Sequence, residues 1–206
     1  MNDLSLLETR VLGTLVEKQH TVPDTYPLTL NALVSGCNQK TSRSPVMEAS
    51  ETEVQATLDS LKRHNLVIES SGSRVARYAH NVDSVLKIPS QSVAILTVLM
   101  LRGPQTPGEL RINCERLHRF ADLSALEAFL QELAARPAGA LVVQLARLPG
   151  ARENRWAHLL SGAPANPVHD DAEPVPVSSK GLEARVERLE SELADLRAAV
   201  DKLRLQ

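Results

Sequence analysis

The chain has 206 residues, of which 43% are apolar and only 2% aromatic, enough for two small domains and a tail with cores of Leu, Val, Ile and Ala. So few rings argue against a base-stacking platform for single-stranded nucleic acid. The net charge of −2 divides into −1 over residues 1–89 (9 basic, 10 acidic), +2 over 90–160 (8 basic, 6 acidic) and −3 over 161–206 (6 basic, 9 acidic), so no block binds nucleic acid by bulk charge alone.

The start, Met1-Asn2-Asp3, is acidic and polar, unlike a secretory leader. Ser5-x-x-Glu8 then sets a capping box before the first helix, whose apolar face is Leu7, Val11, Leu12 and Leu15. A second helix is expected from Leu28 to Cys37. Ser50-x-x-Glu53 opens a third, with Val54, Leu58 and Leu61 inward. Leu66-Val67-Ile68 reads as a strand, Ser71-Gly72-Ser73 as a turn and Arg77-Tyr78 as part of the return strand.

The same order follows again. Ala94, Ile95, Val98, Leu99 and Leu101 mark a helix buried nearly all round, within the longest apolar run, Val93 to Leu101, which is too short to cross a bilayer. A second helix runs from Pro107, a residue suited to a first turn, to about Leu117. Ser124-x-x-Glu127 is expected to cap a third, with Leu126, Leu130 and Leu133 spaced as in the first unit. Leu141-Val142-Val143, Pro149-Gly150 and Arg155-Trp156 repeat strand, turn and return strand. Three helices closed by a hairpin, over 4–80 and again over 90–160, are the pattern of a winged helix. The expected fold is α+β and mainly helical, with one winged-helix domain in 1–89 and another in 90–160.

Residues 161–180 hold four prolines and three acids with few bulky apolar side chains, and read as a disordered linker. In 181–206 the spacing Leu182, Val186, Leu189, Leu193, Leu196, Val200, Leu203 is a heptad seam. Leu at every d and Val at two a positions favour a parallel two-stranded coil, so a homodimer is expected through this tail.

The loop Cys37-Asn38-Gln39-Lys40-Thr41-Ser42-Arg43-Ser44-Pro45-Val46 resembles a signature of the bacterial YceH family. Glu17-Lys18-Gln19, Tyr26-Pro27-Leu28, the run Arg102 to Arg111 and the hairpin Pro149-Gly150-Ala151-Arg152-Glu153 are similar to it as well. Ser44, where that family pattern has an acidic residue, and Trp156, where it has Tyr, depart from it. The resemblance implies a tandem winged-helix fold and carries over no functional residue.

No catalytic or cofactor motif is present: no phosphate-binding glycine loop, nucleophile elbow, His-Glu-x-x-His or paired-cysteine zinc spacing. Cys37 and Cys114 are far apart and read as buried apolar residues, and the six histidines lie singly. The expectation is a cytoplasmic, non-enzymatic binding protein with no cofactor, no metal and no membrane association. Two ligand classes stay open. Duplex DNA would be met by Lys40, Arg43, Lys62, Arg63, Arg74 and Arg77 in the first unit. In the second unit the candidates are Arg111, Arg116, Arg119, Arg147, Arg152 and Arg155. Against this, Glu51, Glu53, Asp59, Glu127 and Glu132 fall on the third helices, where carboxylates oppose approach to phosphate, and a protein-binding adapter suits them better.

Overall fold

The computed structural model describes residues 3–70 and 75–164. The first repeat opens with α1 (Leu6–Thr21), held at its start by a complete Ser5/Glu8 capping box. A 3-10 turn, Pro23–Thr25, leads into β1 (Leu28–Thr29) and α2 (Leu30–Cys37). Then come α3 (Glu51–Arg63), capped by the Ser50/Glu53 box, and the hairpin of β2 (Val67–Ser70) and β3 (Arg77–His80). A short α4 (Val82–Leu86) connects to the second repeat: α5 (Ser90–Arg102), α6 (Pro107–Cys114), α7 (Leu123–Ala134), β4 (Val142–Gln144) and β5 (Trp156–His158). The described chain is thus a mixture of helix and small antiparallel sheets in which helix predominates.

Two local expectations need correction. Leu28 does not begin the second helix; with Thr29 it pairs with β3, Leu28 opposite Tyr78, making a three-stranded sheet of order β1-β3-β2. Thr29 is the true cap, its hydroxyl accepting from Ala32 N. Likewise Ser124 does not cap α7. The helix starts earlier because the Asp122 carboxylate accepts from Ala125 N at 2.8 Å, and Ser124 donates its hydroxyl to that same carboxylate at 2.7 Å. A carboxylate caps the free first-turn N–H groups as a hydroxyl does, and its charge also suits the positive end of the helix. In the second repeat Gln105 takes the place of β1, exchanging backbone bonds with Trp156 (3.1 and 2.7 Å), beside the two-stranded sheet β4-β5.

The described residues belong to one compact unit. Val11, Leu12, Leu15 and Val16 of α1 are sealed from solvent, as are Ile95, Leu96 and Leu99 of α5. Full burial of such a side chain stabilises by roughly 1.5–3 kcal/mol. α1 packs directly on α5, and the approach is close at Gly13: a Cβ there would stand 3.0 Å from the Leu101 side chain. Further bonds join the repeats, Leu4 N to Leu160 O at 2.7 Å and Ser44 N to Leu101 O at 2.8 Å. Residues 165–180 of the linker and the heptad seam, Leu182 to Leu203, lie outside the described residues, as does Arg74, whereas residues 161–164 continue the described chain.

Candidate functional site

The cations of the first repeat are mostly engaged within the protein. Arg43 is the clearest correction to the sequence reading: its side chain has 0% exposure and cannot reach a phosphate. Its guanidinium donates to both carboxylate oxygens of Glu17 (3.1 and 2.6 Å), to Gly36 O and to Gln39 Oε1. Burial disfavours ionised Glu17, yet the Arg43 bonds and charge outweigh it and hold its carboxyl below the usual range. Arg10, which sequence reasoning missed, is also buried and donates to Cys37 O and Pro45 O. Two guanidiniums therefore hold carbonyls of the last turn of α2, where the helix carries partial negative charge. They fix the loop 38–50, in which Asn38 closes a pair of 2.8 Å bonds with the backbone of Ala49. Asn38 and Gln39 are thus loop-binding groups.

Lys62 bridges Asp59 (2.8 Å) and Glu69, and these carboxylates push its ammonium pKa upward. Arg77 donates to Pro27 O at 2.7 Å and to Thr25 O at 3.3 Å, tying β3 to the segment before β1. Lys40 and Arg63 remain exposed with no ion-pair partner among the described residues.

The second repeat behaves differently. Arg111, Arg116, Arg119, Arg147, Arg152 and Arg155 are all exposed. Every salt bridge among the described residues lies in the first repeat, so none of these six guanidiniums has a carboxylate within 4.0 Å there. Arg111 and Arg119 flank a hollow of about 180 Å³ that also takes in Ile112, Glu115 and Phe120. Ile112, on the outer face of α6, is 73% exposed. The outer face of α7 shows Glu127, Gln131 and Glu132, as the sequence suggested.

A larger groove, about 370 Å³, opens between the repeats. Ser42, Arg43 and Ser44 form one wall, Arg102, Pro104 and Gln105 the end of α5, and Glu109 and Asn113 the side of α6; Arg155 closes it from the hairpin. Arg102 donates to the Ser42 hydroxyl at 2.8 Å, and Asn113 donates to Gln105 Oε1 at 2.6 Å. No sequence motif announces this groove, because its parts, from Ser42 to Arg155, lie more than a hundred residues apart. The one available signal is Arg102, the single charge closing an otherwise apolar helix. Among the described residues no three His, Cys, Asp or Glu side chains could together hold a metal ion, and no helix is long and apolar enough to cross a membrane.

Comparison with known proteins agrees with the loop signature. Residues 4–151 match the family described as "Protein of unknown function, DUF480". A UPF0502 protein of Dechloromonas aromatica is 63% identical over 198 residues, covering 95% of this chain and 93% of its own. The chain belongs to the UPF0502 family. Two further members, from Burkholderia thailandensis and Burkholderia pseudomallei strain 668, are 60% and 58% identical, covering 96% and 98% of this chain and 86% and 88% of their own. The YceH-type family that the loop resembles is this same UPF0502 family.

Proposed function

We propose that this UPF0502 protein is a non-catalytic duplex DNA-binding protein, built from two tandem winged-helix units and dimerised by its C-terminal heptad segment. The repeated order of three helices and a hairpin supports the winged-helix reading, as does the extended segment before each second helix, Leu28–Thr29 and Gln105, that pairs with the return strand. The observation that carries DNA binding is the state of the six second-repeat arginines: exposed, and free of carboxylates among the described residues. Phosphate contacts of this kind position a protein on duplex without reading its sequence. The acidic outer face of α7 opposes insertion of that helix into a groove, so contact falls to the hairpin arm around Arg147 and Arg152 and to the α6 end around Arg111, Arg116 and Arg119.

The test is binding of the full chain to random-sequence duplex across a range of salt. Affinity should fall steeply with salt, and the pair Arg147→Ala with Arg152→Ala should lower the log–log slope by about two. No binding at low salt overturns the proposal. One observation favours a protein partner in that event: exposed Ile112 beside Phe120, flanked by arginines, is a surface that an acidic, apolar segment would match.

A further inference from the structure

We propose that the groove between the repeats is a site for a small phosphorylated ligand, with Arg102 and Arg155 as the pair that grips its phosphate. The reading does not depend on DNA binding. At about 370 Å³ the groove lies within the range of small-molecule sites, roughly 300–1,000 Å³. Its charge is unbalanced. Arg43 at its edge is already matched by Glu17 and fixed by Gly36 O and Gln39. Arg102 has only the neutral Ser42 hydroxyl as partner, and the Arg155 side chain has none among the described residues. The one carboxylate lining the groove, Glu109, accepts from Thr106 N at 2.9 Å and so completes the cap of α6. Two guanidiniums thus face one engaged carboxylate.

Planar guanidinium forks match phosphate oxygens bidentately, and a dianion satisfies two of them at once. Ser42 keeps its hydroxyl hydrogen while accepting from Arg102, and the Ser44 hydroxyl has no partner among the described residues, so both can donate to the same group. Farther along, Asn113 uses its amide N–H on Gln105 and leaves Oδ1 as an acceptor for an N–H or O–H of the ligand's organic part. Both repeats supply walls, so occupancy would also brace one repeat against the other.

Trp156 is a built-in reporter. It is the only tryptophan of the chain, follows Arg155 directly and is bonded through its backbone to Gln105. Pyrophosphate, then AMP, would be titrated into the full chain at constant ionic strength while Trp156 fluorescence and the unfolding midpoint are read. A saturable change with Kd in the micromolar to millimolar range is expected, with a rise in midpoint as occupancy grows. The pair Arg102→Ala with Arg155→Ala should weaken it about tenfold or more, while Arg147→Ala, outside the groove, leaves it unchanged. The unfolding midpoint of each ligand-free variant establishes that it folds. Absence of saturation in the wild type, or equal weakening by Arg147→Ala, overturns the site. So does saturation by duplex alone, which would assign the groove to the DNA backbone. Loss of duplex binding in the Arg147/Arg152 variant with the pyrophosphate response retained separates the two proposals.

Discussion

Side chains of one chemical type take opposite roles here according to their surroundings, and burial decides which. Arg43 and Lys62 read alike in the sequence, yet Arg43 has no exposed side-chain surface while Lys62 stays partly open beside Asp59 and Glu69. Removing one partner of a buried pair strands the other charge, at a cost of about 3–5 kcal/mol in fully buried cases. Glu17 keeps 18% of its side-chain surface, so Glu17→Ala is expected to destabilise by about 2–4 kcal/mol. Asp59→Ala, at an open and solvent-screened pair, should leave stability nearly unchanged. Chemical denaturation of the two variants measures both. His158 supplies a pH counterpart: burial pushes its imidazole down to about 4, and its Nδ1 is buried with no partner. The unfolded chain takes up that proton near pH 6.5 while the folded chain resists to about pH 4. Stability is therefore full above pH 6.5 and declines as pH falls between these values, by at most about 1.4 kcal/mol per unit. His80, lowered in the same direction by burial, adds to the effect. His158→Gln should flatten part of the decline, measured as unfolding free energy against pH; an unchanged profile would assign it to His80 and other groups.

Helix termini separate what spacing can tell from what it cannot. The boxes at Ser5/Glu8 and Ser50/Glu53 form as the pattern S-x-x-E predicts. The identical pattern at Ser124/Glu127 does not, because Asp122, two residues upstream, offers its carboxylate to the same first turn. Asp122→Ala should thus lower the unfolding midpoint, and Ser124→Ala, which removes only a donor to that carboxylate, should lower it less; equal losses in thermal unfolding would restore Ser124 as the cap. The second-unit box that does form, Thr106/Glu109, starts with Thr and stands behind Pro107. Core positions of the third helices were legible, since Val54, Leu58 and Leu61 in α3 and Leu126, Leu130 and Leu133 in α7 are all buried at the expected period. The strand Leu28–Thr29 was not legible: two residues carry no period, and only β3 alongside makes them a strand. The arginines divide in the same way. Composition shows that they are present, but Glu17, Pro27 and Glu69, which engage Arg43, Arg77 and Lys62, meet them only in the fold.

The contact between α1 and α5 makes the two repeats parts of one packed body, and the groove with Arg102 and Arg155 exists only because that contact holds them at a fixed separation. Gly13 is a point of close approach: Gly13→Val would drive methyl groups onto Leu101 and should cost at least about 1–3 kcal/mol, with loss of the pyrophosphate response proposed above. The heptad pattern lies beyond residue 164. A single repeat pair offers one set of phosphate contacts, whereas two joined copies could engage one duplex twice, the second contact becoming intramolecular. The seam Leu182 to Leu203 should therefore set affinity as well as mass. Placing carboxylates at d positions by Leu189→Glu with Leu196→Glu opposes burial of the seam, so the variant should be monomeric by light scattering while residues 3–164 keep their unfolding midpoint. Duplex binding by that variant should weaken and lose part of its salt dependence, because fewer phosphates are neutralised per complex. A variant that stays dimeric would place the interface elsewhere on the chain. A monomer binding duplex as tightly as the parent would show that one copy of the arginine surface suffices.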